Sequence, residues 1–329
     1  LLTCPEVAPD SCFRNAEYTD MGLYPPPIDV ATEVWTEIPE KYRKAGVRSA
    51  WVNANKFGHD PHSFLEGPSF DRDGNLYVVD IPFGRVFRIS PDRAWTLITE
   101  YDGEPNGLKI HKDGRIFVAD YKRGIMQVDP ETGKVAPYCE RWRVESFKGV
   151  NDLVFDTAGN MYFTDQGLTG LHDPTGRVFR LSPDGEQLDC LVDTVPSPNG
   201  LVPNLGEDIL YLAVTRANQV WRVPLLDGGG TAKVGVFLNL SGGHAGPDGM
   251  ALDADGGLLV CHAGNGTVWH FDHMGEPKRR IRSCRGLNTT NIAFGGNGNR
   301  SVFITESMSG SILRAELPVA GKTMYSHLS

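Results

Sequence analysis

A segment of about fifteen residues recurs six times in this chain of 329 residues and constrains the fold more than any other feature. Each copy opens on a polar residue, continues as an apolar strand, turns and returns as a second strand, as in EGPSFDRDGNLYVVD and NDLVFDTAGNMYFTD. The copies start roughly 40 to 50 residues apart, which is typical of the blades of a β-propeller. Their opening residues are Glu66, Asn106, Asn151, Asn199, Asp248 and Thr290.

The turns of the repeat carry a common signature. Glycine stands eight residues after the opening residue in five of the six copies, and Glu207 replaces it in the fourth. Glycine readily adopts the positive φ of a tight hairpin turn. The flanking strands are rich in β-branched and aromatic residues and lack a helical period. The sequence therefore predicts an all-β, six-bladed β-propeller, with a β-sandwich or a two-domain architecture as the alternatives.

The N-terminal residues 1–60 match none of the six copies, so we expect an N-terminal extension followed by a propeller over residues 61–329. After Leu317 the sixth copy leaves little sequence for a fourth strand. The segment TEVWTEI at 32–38 resembles WTLITEY at 95–101, the predicted fourth strand of the first blade. We therefore expect the extension to supply the strand that closes the ring, since closure removes an open sheet edge.

Composition and charge exclude several classes of partner. Lys and Arg total 32 against 41 Asp and Glu, a formal net charge of −9 without a basic stripe for nucleic acid. No apolar run approaches the roughly 18 residues of a membrane span. The cysteines form no zinc signature, although Cys4 and Cys12 could pair in an oxidising compartment. We expect a cytoplasmic monomer or small homo-oligomer, with an exported form left open.

The six opening residues should meet at one mouth of the central channel, because the chain enters each blade at its inner strand. All six carry side-chain oxygen and none is basic. Hard cations such as Ca²⁺ take six to eight oxygen ligands, whereas dedicated zinc and copper sites use His or Cys. The ring therefore predicts a divalent metal on the axis. The alternative is that these residues are only turn formers, as Asn-Gly and Asp-Gly often are.

Several phrases in blade order resemble the SMP-30/gluconolactonase/lactonase Drp35-like family over about residues 60–317: FLEGPSFD, GVNDLVFD, SPNGLVP, GPDGMALDADG and TNIAFGG. That family comprises six-bladed propeller hydrolases, to which diisopropylfluorophosphatase is structurally akin. The resemblance implies one catalytic divalent cation, with Ca²⁺ favoured and Zn²⁺, Mn²⁺, Mg²⁺ and Fe²⁺ left open. Its implied ligands are Glu66, Asn151, Asn199 and Asp248.

One departure from the family pattern concerns the substrate. The sugar-acid lactonases of the family often carry Arg two residues before the third-blade Asn, where this chain has Gly149. An aldonolactone is therefore placed in doubt as the substrate.

The chemistry that the resemblance implies is the opening of a small-molecule lactone by metal-assisted attack of water. Asp248 is the expected general base or nucleophile, with Asp152 and His244 as further catalytic candidates. Asn106 and His62 are the expected substrate contacts. The alternatives are a phosphotriesterase acting on organophosphates and a non-catalytic Ca²⁺-binding propeller that serves as a scaffold.

Overall fold

The computed structural model describes residues 24–56 and 58–328. Cys4 and Cys12, with the pairing considered for them, lie outside the described residues. The chain forms a six-bladed β-propeller, as predicted. In blades one to five, four antiparallel strands follow in chain order from the axis outward, and in blade six the outermost strand comes from the N-terminal segment. The inner strands of neighbouring blades pack against one another, and the inner strand of blade six packs against that of blade one.

The first three blades occupy the N-terminal half of the ring. Blade one comprises Leu65–Phe70, Leu76–Asp80, Arg85–Ile89 and Trp95–Glu100; blade two comprises Pro105–Ile110, Ile116–Asp120, Gly124–Val128 and Val135–Cys139; blade three comprises Val150–Phe155, Met161–Asp165, Gly176–Leu181 and Leu188–Val195. A small hairpin of Arg141–Trp142 and Glu145–Ser146 stands between the second and third blades.

The other three blades complete the ring. Blade four comprises Pro198–Pro203, Ile209–Val214, Gln219–Pro224 and Gly235–Asn239; blade five comprises Gly246–Leu252, Leu258–Ala263, Thr267–Phe271 and Pro277–Arg282; blade six comprises Thr289–Gly295, Ser301–Glu306, Ser311–Glu316 and the N-terminal strand Glu33–Glu37.

The closure predicted for the N-terminal segment is confirmed. Glu33–Glu37 pairs antiparallel with Ser311–Glu316, and the Trp35 ring lies edge-on to Phe303 at 5.0 Å between centroids. A further strand that the sequence did not indicate, Ile28–Ala31, pairs parallel with the outer strand of blade five. The N-terminal segment thus joins two adjacent blades as well as the two ends of the ring. The division at residue 60 stays a prediction.

The second strands explain the apolar runs of the repeat. Every residue of Leu76–Asp80, Ile116–Asp120 and Met161–Asp165 is buried. Strands covered on both faces by neighbouring blades read as continuous apolar runs, without the alternation of a half-exposed strand.

Short helices lie at both ends of the channel. The α-helix Ala50–Asn55 is capped by Ser49, whose hydroxyl accepts a hydrogen bond from Val52 N at 3.2 Å. Its buried Trp51 and Val52 pack on blade one at the channel mouth. The 3₁₀ helices span Glu40–Tyr42, Ile81–Phe83, Thr215–Ala217, Asn297–Asn299 and Tyr325–His327.

The opposite end of the channel is covered by the C-terminal residues 322–328. Tyr325 stacks on Phe155 at 5.1 Å between ring centroids, and the Ser326 hydroxyl donates to the carbonyl of Phe70. Within the described part of the chain, no helix has both the length and the apolar character needed to cross a membrane.

Candidate active site at the channel mouth

The six opening residues line one cavity. Its volume is about 650 Å³, and it lies at the end of the channel that the helix Ala50–Asn55 overhangs. Its walls include the full set predicted from the repeat: Glu66, Asn106, Asn151, Asn199, Asp248 and Thr290. The structure thus brings together side chains from all six blades.

An irregularity in strand pairing aims these side chains at the cavity. In every blade the pairing of the first two strands shifts register at or directly after the opening residue. A β-bulge leaves a residue unpaired and re-aims its side chain. The six polar side chains can therefore converge on the axis while the following residues resume normal pairing.

Buried carboxylates hold the chain where it enters the inner strand of the first three blades. Asp80 Oδ1 accepts from Phe64 N at 2.7 Å, and Asp165 Oδ1 accepts from Gly149 N at 2.8 Å. Asp120 does the same for the equivalent amide of blade two. Each amide belongs to the residue two positions before an opening residue. These aspartates therefore hold the backbone in place where it leads into the ring.

Glu66 is 3% exposed and receives two hydrogen bonds on Oε2. The donors are the backbone N of Gly67 and the side-chain amide of Asn291, both at 2.8 Å. Burial raises the pKa of Glu66 to about 7, and the charge of Asp152 adds to the rise. Sequence reasoning missed Asn291, which follows the opening residue of blade six.

The orientation of Asn151 is set by a relay that the sequence did not reveal. Its amide nitrogen donates to Gln166 Oε1 at 3.0 Å, and Gln166 donates in turn to Ser197 Oγ at 3.1 Å. Because the nitrogen is engaged, the carbonyl oxygen of Asn151 is the group left for a cation.

Asp248 is half-buried and faces the cavity. Burial raises the pKa of Asp248 well above its ordinary value, and the charge of Glu66 raises it further. The neighbouring side-chain amide of Asn199 lowers the pKa of Asp248 by favouring the carboxylate, but burial outweighs it.

A second layer lies directly beneath the ring. Four of the six residues that follow the opening residues are glycine, and the blades approach so closely there that a Cβ on Gly107 would lie 2.5 Å from Asp152 Oδ1. The other two are Asp152 and Asn291, whose side chains fill the axis. A pattern of four glycines and two polar residues was the signal in the sequence that could have found Asn291.

Asp152 therefore lies below the ring and away from the mouth. It lines a smaller cavity of about 110 Å³ at the end of the channel covered by the C-terminal residues. Its amide donates to Thr164 Oγ1, and its carboxylate accepts from the amide of Leu153. Burial raises the pKa of Asp152. This placement suits an electrostatic influence on Glu66 and Asp248 better than contact with a molecule at the mouth.

The two candidate histidines lie beside the cavity and not in its wall. His62 Nδ1 is 3.0 Å from Ser63 Oγ, and burial followed by the charge of Arg43 lowers the pKa of the imidazole. His244 is exposed in the loop before blade five, next to Ala245, which does line the cavity.

Tyr121 packs against Gly149, the position at which the family resemblance led us to expect Arg. A Cβ at Gly149 would lie 2.7 Å from the Tyr121 ring, which lines the cavity. The Tyr121 hydroxyl is buried without a hydrogen-bond partner among the described residues, and burial raises its pKa to about 12. An aromatic side chain thus fills space that an arginine would need.

The donor set fits a hard divalent cation. Glu66 and Asp248 lie together, and none of the ion pairs among the described residues involves either of them. Neighbouring buried carboxylates repel, and a cation between them removes that penalty. Residues 24–56 and 58–328 contain no group of three or more His, Cys, Asp or Glu that could hold a metal together. The predicted ligand set is of a different kind, because only two of its members are carboxylates and the other two are amides.

Comparison with known proteins identifies a matching family and several relatives. Residues 64–308 match the family described as SMP-30/Gluconolactonase/LRE-like region. Lactonase drp35 of Staphylococcus aureus strain MRSA252 is 30% identical over 244 residues, 70% of this chain and 72% of that protein. Lactonase drp35 of Staphylococcus saprophyticus is 32% identical over the same length, again 70% and 72%.

Solved structures share the fold at lower identity. A gluconolactonase from Xanthomonas campestris has a TM-score of 0.69 at 21% identity, covering 91% of this chain and 99% of that one. Regucalcin from Agrobacterium tumefaciens, described as a calcium-binding protein, has a TM-score of 0.72 at 18% identity, covering 92% and 100%.

The fold and site define a six-bladed propeller with a ring of oxygen donors at its axis. Since the family match covers most of the sequence, the chain belongs to the SMP-30/gluconolactonase/LRE-like family. The resemblance identified from the blade motifs is confirmed.

Proposed function

We propose that this protein is a divalent-metal-dependent lactonase, a carboxylic ester hydrolase that opens a cyclic ester by metal-assisted attack of water. One observation carries the proposal: six oxygen-bearing side chains, two of them carboxylates, converge on a cavity large enough for a small lactone. The family, and relatives named lactonase drp35 and gluconolactonase, support the same reaction class.

The proposed ligands are Glu66, Asn151, Asn199 and Asp248. Two carboxylates and two amide oxygens suit Ca²⁺, the favoured ion, with Zn²⁺, Mn²⁺, Mg²⁺ and Fe²⁺ as alternatives. The calcium-binding regucalcin of the same fold supports this choice. A bound cation would supply Lewis-acid polarisation of the ester carbonyl and would make water more acidic.

Asp248 is the proposed general base. Its carboxylate faces the cavity, and a cation bound beside it would offset the effect of burial and hold it in the charged form that accepts a proton. The base takes a proton from the attacking water, whose oxygen bonds to the carbonyl carbon. The ring C–O bond then breaks, and the departing alkoxide takes up a proton to give a hydroxy carboxylate. Asn106, which lines the cavity, is the proposed substrate contact.

The remaining candidates take lesser roles. Asp152 and His244 are the alternative bases if Asp248 serves only as a ligand. A second alternative is that Asp248 attacks the ester carbonyl directly as a nucleophile. His62 contacts substrate only if substrate extends beyond the cavity wall. A cytoplasmic location and a monomer or small homo-oligomer stay predictions from the sequence.

The test is a substrate screen of aldonolactones, alkyl lactones, dihydrocoumarin and paraoxon. Each is followed by proton release in a pH-stat, before and after EDTA treatment and after restoration of single metals. We expect turnover of at least one lactone, loss with EDTA and recovery with Ca²⁺. Hydrolysis of paraoxon and of no lactone would indicate a phosphotriesterase instead of a lactonase. Turnover that EDTA does not reduce would show that the reaction does not depend on the metal.

A further inference from the structure

Lys56 places a cation in the wall of the mouth cavity. It follows the helix Ala50–Asn55, and its Nζ lies 4.1 Å from the centre of the Phe64 ring and 5.6 Å from that of Trp51. Its side chain is partly buried. Burial lowers the pKa of Lys56, Asp248 raises it, and Arg216 lowers it further. The ammonium is thus held on aromatic rings within electrostatic reach of the proposed metal ligands.

Arg216 supplies a second cation to the same cavity. It belongs to the 3₁₀ helix Thr215–Ala217 of blade four, across the ring from blade one, where the helix that precedes Lys56 packs. The charge of Arg216 nevertheless acts on Lys56. Neither Lys56 nor Arg216 takes part in any ion pair among the described residues.

The charge balance of the cavity changes when a metal binds. The carboxylates of Glu66 and Asp248 offset a dication, so they no longer balance Lys56 and Arg216. A cation withdrawn from water is costly unless a counter-ion or hydrogen-bond acceptor meets it. The remaining carboxylate, Asp152, lies beneath the ring and lines the other cavity. Among the described residues that line the metal-loaded mouth cavity, Lys56 and Arg216 are therefore two cations without an anionic partner.

We propose that Lys56 and Arg216 bind a carboxylate on the substrate, so that the substrate class is a lactone carrying a second, negatively charged group. This inference rests on the proposed lactonase function. Arginine presents a fork of donors that matches a carboxylate, and lysine adds a point charge. The competing role for the two cations is to stabilise charge that develops at the ester itself, which every lactone shares.

The test uses two lactones of nearly the same shape, 5-oxotetrahydrofuran-2-carboxylate and its neutral carboxamide. Hydrogen bonds to charged groups are worth about 1.5–3 kcal/mol, so wild-type kcat/KM should favour the carboxylate by about tenfold or more. In Lys56→Met and Arg216→Met this ratio should fall toward one, mainly through KM, and Lys56→Arg should restore most of it. Lys134→Met, which removes an exposed cation outside the cavity, is the matched control.

A binding measurement that needs no turnover accompanies the kinetics. The ring-opened product 2-hydroxyglutarate is titrated into Ca²⁺-loaded protein by calorimetry, with the total tryptophan fluorescence, to which Trp51 contributes, as a second signal. We expect Lys56→Met to weaken binding of this dianion about tenfold relative to its monoamide. Thermal melts of each variant confirm that it is folded.

The outcomes separate the two proposals. If lactones are hydrolysed but the wild type has no preference for the carboxylate, the anion site is wrong and the lactonase stands. If Lys56→Met lowers kcat/KM equally for both substrates, the lysine acts on the ester that they share, and the anion site is wrong. If no lactone is hydrolysed, the lactonase proposal fails, and selective loss of 2-hydroxyglutarate binding in Lys56→Met would still support the anion site.

Discussion

The side-chain amide nitrogen of Asn291 lies 2.8 Å from Glu66 Oε2, although the two residues are 225 positions apart in the sequence. The same nitrogen lies 3.4 Å from Asp152 Oδ2. Asn291 therefore orients the carboxylate of Glu66 from beneath the ring and ties blade six to blades one and three. If Glu66 is a metal ligand, as we propose, Asn291 is a partner that fixes the ligand's orientation, and loss of such a partner typically weakens metal binding about 10-fold to 100-fold.

Replacing Asn291 with Ala should weaken Ca²⁺ binding by about 10-fold to 100-fold, because Glu66 loses the donor that orients it. Calorimetric titration of EDTA-treated protein measures the affinity directly. Asn297→Ala, an exposed amide of the same blade, is the control. An affinity equal to that of the wild type would show that Asn291 only fills space.

Metal removal should change the pH dependence of stability. A carboxyl whose pKa is raised by folding binds more protons in the folded state. Its stabilising contribution is full below the unfolded pKa of about 4 and is lost as the pH rises through the folded pKa, which is about 7 for Glu66. Asp248 and Asp152 shift in the same direction.

The metal-free protein should therefore lose stability from about pH 4 to pH 7, while a bound cation keeps the carboxylates charged and favourable. The rise in Tm on adding Ca²⁺ should grow across this range. Thermal melts at pH 5 to 8, with Ca²⁺ or EDTA, give the difference. A difference that is constant with pH would place the ion elsewhere.

Asp248→Asn should reduce lactone hydrolysis more than it reduces metal binding. The amide keeps an oxygen ligand but cannot accept a proton, and general-base assistance is worth about 10²–10⁴ in rate. Turnover and bound Ca²⁺ are measured in the same samples at saturating Ca²⁺. Asn106→Ala, which removes a ring oxygen and no carboxylate, should lose less activity. Near-normal turnover with stoichiometric metal would show that Asp248 serves only as a ligand, and Asp152→Asn and His244→Ala would then be tested for loss of turnover.

Ring closure should depend on the N-terminal strand. Trp35→Ala removes a buried ring that packs on Phe303, and we expect a loss of about 3–5 kcal/mol in the free energy of unfolding. Urea titration measures it, with Val144→Ala as the control because that side chain is 89% exposed.

Deleting residues 1–45 should leave insoluble or much less stable protein, since blade six then exposes an edge. A soluble truncation with an unchanged Tm would contradict this.

Gly149 and Tyr121 should be energetically coupled. Gly149→Ala places a methyl group against the Tyr121 ring, so it should destabilise the protein by about 1–3 kcal/mol. Tyr121→Ala makes room for the methyl, so the double variant should be more stable than the sum of the two single changes implies. A double-mutant cycle on unfolding free energies measures the coupling. Additive effects would mean that the backbone at Gly149, and not the tyrosine, requires glycine.

The sequence alone determined the propeller, the six ring residues and the closing strand. Each of these is written in short, contiguous patterns: the opening residue, the turn glycine eight positions later and the similarity of TEVWTEI to WTLITEY. Strand and turn preferences act over a few residues, so a repeat reveals them without knowledge of the blades' arrangement.

Only the tertiary structure decided which neighbours of the ring residues face the mouth. Asn151 lines the mouth cavity, while the adjacent Asp152 lies beneath it, because the strand pairing shifts register between Val150 and Leu153. The contact of Asn291 with Glu66 and the position of Lys56 over Phe64 likewise join distant segments. Such contacts depend on how the blades converge around the axis. A pattern of neighbouring residues does not encode the distance between side chains on different blades.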